Sequence, residues 1–421
     1  MLIEFSAENY RSIKDRVTFS MLATSDNHLE SNTIISSALK KNDSLLKSAM
    51  IYGANASGKT NVLKAMRELR DLVRNSAKNQ IGDNLPYRPF KLSEQSRLLP
   101  TRFIISFIQN NIRYKYEVSF SKNKILEEYL HYYPNNRKAI IFERNDGKIK
   151  VTTDKKKQKD IYSRTLPNVL YLSSSAQQNY SKTSEPFKWF NDFDVVTSKE
   201  SFDISNTIDL LNKNNEYKNN IIKFLKEADL SIANVEAKIE DVDISEISDL
   251  PPKLLERFNK MIGDGDQVQK LTFNSFHTVG ENAEKSPVAF TLDEESDGTQ
   301  RLFSLIGPWL NTLKEGRVLI MDELDVRLHP FITEFLINLF HDPTQNVNNA
   351  QLVFTTHNTY TLSQKLFRRD QIWFTEKDPI YGNTDLYSLS EFKPRKDKNI
   401  QKGYLMGRYG AIPFIPTGRI F

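Results

Sequence analysis

Two kinds of apolar pattern follow one another along the chain. Uninterrupted apolar runs at 49–52, 318–321 and 352–354 end in polar or glycine-rich clusters, as expected for buried strands of a parallel sheet. Between 101 and 151, apolar and polar residues alternate and are separated by Asn and Gly turns, which favours antiparallel hairpins. Apolar residues at helical spacing follow the first two runs. The pattern predicts an α/β fold with a parallel core sheet and an antiparallel β-subdomain.

The middle of the chain follows a different pattern. Apolar residues near 221–230 cluster as on helices, yet no heptad repeat persists, so a long coiled coil is not expected. We therefore predict a compact, mostly helical insert. The predicted segments are 1–80 with the first half of the core, 81–184 with the antiparallel β-subdomain, 185–288 with the insert, and 289–421 with the second half of the core.

The first apolar run leads directly into a loop with the spacing G-x-x-x-x-G-K-T. Glycine at Gly53 and Gly58 permits backbone angles that a Cβ forbids, so successive amides can turn toward phosphates at the positive end of the following helix. Lys59 is expected to reach the β- and γ-phosphates, and Thr60 to hold Mg²⁺. An ordinary glycine turn is the alternative, which the flanking strand and helix disfavour. The expected nucleotide contacts are Gly53, Asn55, Ala56, Ser57, Gly58, Lys59 and Thr60.

The second apolar run ends in two carboxylates, Asp322 and Glu323. A strand that ends in Asp places the carboxylate at the carboxyl edge of the sheet, where the glycine-rich loop also opens. Asp322 can then hold Mg²⁺ through water, and Glu323 can polarise the attacking water. A strand capped by solvated acids is the alternative, and the presence of the phosphate loop makes it the weaker one.

Composition narrows the class of protein. The 58 Lys+Arg and 53 Asp+Glu residues leave a net charge of +5, which neither requires nor excludes nucleic acid. The absence of cysteine excludes disulfides, thiol catalysis and zinc–cysteine sites, and fits a reducing compartment. No stretch approaches the roughly 18–20 consecutive apolar residues of a membrane span. We therefore expect a soluble, cytoplasmic protein without a membrane partner. The lysines at 155–159 are either a solvated loop or a contact for a phosphate backbone.

Several motifs resemble one family. The loop G-A-N-A-S-G-K-T is similar to the G-x-N-x-S-G-K of the SMC-like branch of ABC ATPases, with Asn55 and Ser57 in matching places and Ala56 where many members have Gly. D-E-L-D-x-x-L-H-P at 322–330 resembles the Walker B motif and D-loop of ABC-type heads. Asn-Tyr-Arg-Ser at 9–12 resembles the N-F-R-S segment of SMC- and RecF-like heads. With its C-terminal segment, the chain resembles predicted P-loop ATPases of bacterial abortive-infection and anti-phage cassettes.

This resemblance implies roles for four further residues, outside the predicted insert. Arg11 is a candidate contact for the nucleotide base or a phosphate, an ordinary hairpin with an exposed Arg being the alternative. Gln177, after a predicted strand at 169–172, is a candidate for Mg²⁺ and the attacking water. His357 is expected to sense the γ-phosphate, although a loop histidine without that role is the alternative. Asp325 is expected to cross a dimer interface.

An ABC signature motif belongs just before the second apolar run. Glu-Ser-Asp-Gly-Thr-Gln at 295–300 matches L-S-G-G-Q only in part, and the matching residues are Ser296 and Gly298. In the family, this motif contacts the nucleotide held by the other protomer. The resemblance therefore implies a homodimer, or a higher oligomer, that sandwiches ATP and Mg²⁺.

The resulting hypothesis is an ATP-hydrolysing ABC/SMC-like subunit of an anti-phage (abortive-infection) system. It converts ATP and water to ADP and phosphate and controls a separate, nuclease-like effector, since no metal-ligand cluster of a nuclease is visible in the chain. A DNA-repair or DNA-clamping ATPase of the SMC/RecF type is the alternative, and nucleic-acid binding stays open. A transporter ATPase is a third reading, which the N-terminal motif disfavours.

Overall fold

The computed structural model describes residues 1–196, 203–228, 232–242, 268–279, 286–395 and 398–413. The chain divides into two compact units, a larger one of Met1–Glu200 with Asn311–Phe421 and a smaller one of Ser201–Leu310. Each sheet lies within one unit, whereas the helix Asp297–Glu315 passes from the smaller unit into the larger one.

The strands, numbered in chain order, are β1 Leu2–Glu8, β2 Val17–Ser20, β3 Thr33–Ile35, β4 Ser44–Leu46, β5 Ser48–Tyr52, β6 Thr101–Gln109, β7 Ile112–Phe120, β8 Ile125–Tyr132, β9 Ala139–Asn145, β10 Lys148–Val151, β11 Phe193–Val196, β12 Ile232–Val242, β13 Val268–Val279, β14 Ser286–Thr291, β15 Val318–Met321, β16 Gln351–Thr355, β17 Ile372–Lys377 and β18 Thr384–Ser388. The helices are α1 Lys59–Asn75, α2 Lys155–Ser163, α3 Tyr171–Gln177, α4 Ser181–Asn191, α5 Ser205–Lys213, α6 Asn215–Glu227, α7 Asp297–Glu315, α8 Pro330–His341 and α9 Ile400–Leu405.

A six-stranded sheet forms the core of the larger unit, in the order β11-β15-β16-β5-β17-β18. All neighbouring pairs are parallel except β17 with β18. Every residue of β5, β15 and β16 is buried, which explains why these strands read as uninterrupted apolar runs. β16 lies between β15 and β5 and is parallel to both. The carboxyl ends of the three strands therefore lie side by side at one edge of the sheet. The predicted parallel core sheet is confirmed.

The second sheet of the larger unit has seven strands in the order β10-β9-β8-β7-β6-β1-β2, and all of its pairs are antiparallel. The predicted hairpin between β6 and β7 turns at Asn110 and Asn111, whose φ angles of 48° and 57° suit a tight hairpin turn. β1 and β2 also belong to this sheet. The chain's first strands therefore complete the antiparallel subdomain and are not part of the parallel core.

Helix α1 joins the two sheets through one apolar face. Its buried residues recur at helical spacing and belong to a core that also contains residues of both sheets. Leu69, for example, is fully buried in this core, and truncating such a leucine typically costs about 2–5 kcal/mol. The phosphate loop is thus anchored at both of its ends, by β5 and by α1.

The strand predicted at 169–172 is wrong, since helix α3 begins at Tyr171. The buried carboxylate of Glu128 accepts hydrogen bonds from the backbone N–H groups of Tyr171 (2.7 Å) and Leu172 (2.9 Å). These groups lie in the first turn of the helix, where backbone N–H groups have no partner within the helix and a negative charge is favourable. A residue more than forty positions away therefore decides the local structure, and no local apolar pattern could show it.

We expect Glu128→Ala to lower the free energy of unfolding by about 3–5 kcal/mol. The substitution leaves the guanidinium of Arg144, which lies 3.5 Å from the Glu128 carboxylate and is only 4% exposed, without its counter-ion, and it uncaps α3. Urea unfolding followed by circular dichroism measures this change. Glu127→Ala is the matched control, because Glu127 is partly exposed and pairs with Arg102. Equal, small losses in both variants would contradict the role of Glu128.

Two further predictions change in detail. The basic run at 155–159, predicted as either a solvated loop or a contact for a phosphate backbone, is not a loop: it begins helix α2, and its lysines are exposed there. The smaller unit contains helices α5 and α6, as expected of the insert, and also a three-stranded antiparallel sheet in the order β12-β13-β14. Among the residues described, no helix is both long and apolar enough to cross a membrane.

Candidate functional site

The glycine-rich loop connects β5 to α1 and has little room for side chains. A Cβ on Gly53 would lie 2.4 Å from the carbonyl oxygen of Thr375, and one on Gly58 would lie 2.1 Å from Oγ1 of Thr384. Gly58 also has a φ of 114°, which side chains rarely adopt. Thr375 of β17 and Thr384 of β18 therefore pack so closely against the loop that they leave no space for a side chain at Gly53 or Gly58.

Ala56 adopts a φ of 62° within the same loop, which is a conformation that glycine takes at lower cost. This explains why the related motif often has Gly at that position.

We expect Gly58→Ala to lower the melting temperature and to abolish nucleotide binding, because both the φ of Gly58 and its contact with Thr384 forbid a Cβ. Ala56→Gly, the matched control, should retain binding and a melting temperature close to that of the wild type. Differential scanning fluorimetry with and without ATP tests the pair, and a nucleotide-dependent shift that persists in Gly58→Ala would contradict the expectation.

Lys59 lies over the loop and is largely withdrawn from water. Its Nζ donates to the carbonyl oxygens of Gly53 (2.7 Å) and Ala54 (3.2 Å). Burial lowers the pKa of Lys59 below its ordinary value, whereas the nearby carboxylates of Asp322, Glu323 and Asp325 act in the opposite direction. The ammonium is thus held at the centre of the loop, where an anion can reach it.

The two halves of the predicted site meet at Asp322. Its Oδ1 accepts hydrogen bonds from Thr60 Oγ1 at 3.2 Å and from Thr355 Oγ1 at 2.7 Å. Its Oδ2 is buried and has no hydrogen-bond partner among the described residues. A hydroxyl beside an unpaired buried carboxylate oxygen is the kind of oxygen donor set that Mg²⁺ accepts together with water and phosphate. The residues Thr60 and Asp322 therefore fit the metal expected from the sequence.

Glu323 follows directly and has an unusual backbone. Its φ is 54°, which places it in the left-handed region, and its N–H donates to Thr355 Oγ1 at 2.8 Å. Such a conformation costs about 1–3 kcal/mol and persists where the surroundings impose it. Thr355 thus holds both neighbours, Asp322 through the carboxylate and Glu323 through the main chain.

A cavity of about 850 Å³ opens against the phosphate loop. His357, which is exposed, shares its lining with Asn55 and Ser57 of the loop. The backbone N–H of His357 donates to Oδ2 of Asp325 at 3.4 Å, so the histidine and this carboxylate are neighbours. Another wall, which the sequence did not predict, is formed by Tyr404, Leu405 and the three residues Ala411, Ile412 and Pro413.

Arg11 lies in a second cavity, of about 610 Å³, together with Ser12 and Asn61 of α1. Its Nε donates to the hydroxyl of Tyr10 at 3.0 Å, and its N–H donates to the carbonyl of Arg88 at 2.8 Å. Arg88, Lys91 and Lys377 also line this cavity. The structure therefore brings Arg11 close to the first turn of the phosphate-loop helix, within a strongly basic surface.

The remaining candidates lie elsewhere. Gln177 is exposed at the end of α3 and does not line the cavity next to the phosphate loop, so its proposed contact with Mg²⁺ stays a prediction. In the smaller unit, Ser296 precedes α7, and its Oγ accepts from the N–H of Thr299 at 3.2 Å. Gly298 lies in the first turn of that helix. Ser296 and Gly298 thus form a helix N-terminus, the part of a helix that attracts phosphate.

Sequence reasoning missed three threonines that shape the loop. Thr375 Oγ1 and Ser57 Oγ are 2.7 Å apart, and Thr384 Oγ1 donates to the carbonyl of Ser57 at 2.8 Å. Thr355 joins the carboxylate of Asp322 to the backbone N–H of Glu323, as described above. Only Thr355 has a signal in the sequence, because it ends a buried strand next to the predicted metal site. Thr375 and Thr384 act through strands that become neighbours of the loop only in the folded chain.

A phosphate loop on a parallel sheet, with an acidic strand end beside it, defines an ATPase-like P-loop domain. Residues 48–363 match the family described as "AAA domain, putative AbiEii toxin, Type IV TA system", and the chain belongs to that family. The match covers well over half of the chain and confirms the resemblance to abortive-infection ATPases. No curated protein matches.

Solved structures with a similar fold include the SMC head domain from Thermotoga maritima, at 12% identity and a TM-score of 0.41, covering 92% of this chain and 98% of that one. Another is cbiO1 from Clostridium perfringens, part of the ABC transporter complex cbiONQ, at 11% identity and a TM-score of 0.30, covering 96% of each chain. At these TM-scores neither likeness bears on function.

Proposed function

We propose that this protein hydrolyses ATP as a subunit of an anti-phage, abortive-infection system in the cytoplasm and controls a separate effector. The observation that carries the enzymatic part is the junction at Asp322, where the hydroxyl of the loop residue Thr60 lies 3.2 Å from the carboxylate. The other oxygen of that carboxylate is buried and has no hydrogen-bond partner in the part of the chain that the structure describes. An ATPase needs such a junction between its phosphate loop and its metal ligand. The adjacent Glu323 supplies a base.

In this proposal each residue of the site has its own role in ATP binding or hydrolysis. The backbone amides from Gly53 to Gly58 bind the phosphates, and Lys59 exchanges its carbonyl partners for phosphate oxygens. Thr60 and Asp322 hold Mg²⁺, which neutralises phosphate charge when bound. Glu323 takes a proton from the attacking water, and His357 donates a hydrogen bond at the γ-phosphate end. Arg11 contacts the nucleoside or a phosphate from the basic cavity.

Assembly supplies the rest of the site. Ser296 and Gly298 form a helix N-terminus in the smaller unit, and we place this N-terminus against the γ-phosphate held by a second protomer. Two copies then enclose two ATP molecules, with Asp325 at the interface. Hydrolysis removes the γ-phosphate that both copies share, and the dimer opens.

The defence role rests on the family. Its description names a putative toxin and a Type IV toxin–antitoxin system, which supports a two-component arrangement in which this chain acts with another protein. We propose that the partner is a nuclease-like effector whose activity follows the opening and closing of the dimer.

ATP is expected to raise the mass of the Glu323→Gln variant from monomer to dimer, or to tighten an existing dimer, because bound ATP is shared and not consumed. Light scattering at a series of protein concentrations measures this shift. Replacing ATP by ADP is the control, since ADP lacks the shared γ-phosphate. A mass that does not change with ATP would contradict the sandwich.

A further inference from the structure

The residue before the proposed signature serine is tied to the sheet of the smaller unit. Glu295, whose side chain is only 8% exposed, accepts a hydrogen bond from Nε2 of His277 at 2.8 Å. The same carboxylate oxygen accepts from the hydroxyl of Ser275. His277 and Ser275 are two residues apart on β13, so they lie on the same face of that strand.

That face of β13 also packs on α7. Phe273 contacts Phe303 of α7 with ring centroids 4.5 Å apart, and His277 packs edge-on against Phe290 of β14 at 4.9 Å. The carbonyl of Glu295 accepts from the side chain of Gln300 at 2.9 Å, which ties it to the first turn of α7. Glu295 is therefore fixed from two directions, by the sheet through its side chain and by the helix through its main chain.

From this arrangement we propose that Glu295 is a positioning residue, held by His277 and Ser275, which sets the place of Ser296 and the N-terminus of α7 in the ATP-bound dimer. The inference rests on the proposed function, because it concerns the surface that meets the second protomer's nucleotide. It adds that β13 of the smaller unit, through His277 and Ser275, holds the helix N-terminus that must reach the phosphate.

The neighbouring carboxylate provides a matched control. Glu294 is exposed, and it accepts from the N–H and hydroxyl of Thr291, at 2.8 and 3.0 Å, within its own turn. Glu294→Ala removes a charge one position away without touching β13. Glu295→Gln keeps an acceptor oxygen for His277 and Ser275, and it should recover part of what Glu295→Ala loses.

The first measurement is ATP-driven dimerisation of the full chain carrying Glu323→Gln. Adding Glu295→Ala or His277→Ala should weaken the dimer about tenfold or more, as the loss of a hydrogen bond to a charged group commonly does. Binding of a fluorescent ATP analogue by the monomer should not change, since the phosphate loop is intact. Adding Glu294→Ala should leave both quantities close to those of the parent.

The second measurement is complementation with Glu323 restored. Glu295→Ala alone and Lys59→Ala alone should hydrolyse little ATP, whereas their mixture should exceed the sum of the two. In a mixed dimer, the intact phosphate loop of the first variant faces the intact signature of the second, so one complete site forms. A variant that had merely lost its fold could not restore activity in this way.

The outcomes separate the two proposals. If Glu323→Gln does not dimerise with ATP, the sandwich itself is wrong and this inference falls with it. If Glu323→Gln dimerises and Glu295→Ala changes nothing, or if the mixture shows no gain, the sandwich stands and the positioning role is overturned. If Glu295→Ala does not fold, the same comparison is made with His277→Ala, whose side chain is 26% exposed.

Discussion

Glu323→Gln is expected to lower ATP turnover by about 10²–10⁴-fold, the contribution typical of a general base, while ATP binding is retained. The amide keeps the size and shape of the carboxylate but cannot take a proton from water. The backbone at φ 54° and the hydrogen bond from its N–H to Thr355 are independent of the side chain, so the local geometry should survive. Phosphate release under saturating ATP measures turnover, and titration with a fluorescent nucleotide measures binding.

The matched control is Glu334→Gln, the same substitution at a half-buried glutamate on α8. It should leave turnover near that of the wild type. Unchanged hydrolysis by purified Glu323→Gln would remove Glu323 from the role of base. Loss of both binding and turnover would instead assign it to the nucleotide pocket.

Lys59→Ala is expected to weaken ATP binding at least ten- to a hundredfold, because about 1.5–3 kcal/mol is typical of one charge-assisted hydrogen bond and Lys59 would make several with phosphate. The fold should persist, because the hydrogen bonds from the ammonium to the carbonyls of Gly53 and Ala54 lie within the loop itself. Lys64→Ala on the same helix is the control, and it should bind ATP normally. Isothermal calorimetry gives both affinities.

The same variant tests the defence role in cells. Expressed alone, the protein should not harm its host; expressed with the protein encoded beside it, it should protect against phage, and Lys59→Ala should abolish that protection. Plaque counts measure the effect. Full protection by Lys59→Ala expressed with the neighbouring protein would show that protection does not need ATP bound at this site. Full protection by the wild-type protein expressed alone would show that protection does not need a second component.

The phosphate loop and its strand and helix could be predicted from the sequence, because each is local. A buried strand, Gly53 and Gly58 at fixed spacing, and the apolar stripe of α1 lie within 49–73, and their chemistry depends on spacing along the chain. Asp322 was also predictable, since it ends an apolar strand and all parallel strands of a sheet end at one edge. The 3.2 Å contact between Asp322 and Thr60 agrees with that reasoning.

Other features depend on residues far apart in sequence. Helix α3 replaces the predicted strand because Glu128 caps its first N–H groups. The insert contains β12–β14 in addition to helices, since pairing between distant strands leaves only a weak alternation in each of them. Local propensity is worth tenths of a kcal/mol per residue, so one buried charged contact outweighs it.

The sequence by itself determined the chemistry of this protein, that is, which residues can hold phosphate, metal and an attacking water. The tertiary structure alone decided which other residues pack around these functional residues and fix their positions. Thr384 excludes a Cβ at Gly58, and Thr355 joins Asp322 to Glu323. Residues on both sides of a turn, Tyr404 and Leu405 before it and Ala411 and Pro413 after it, line the cavity beside His357. The reason is physical. A motif needs only the right groups at the right spacing along one chain, whereas its packing comes from strands and loops that become neighbours when the whole sheet has formed.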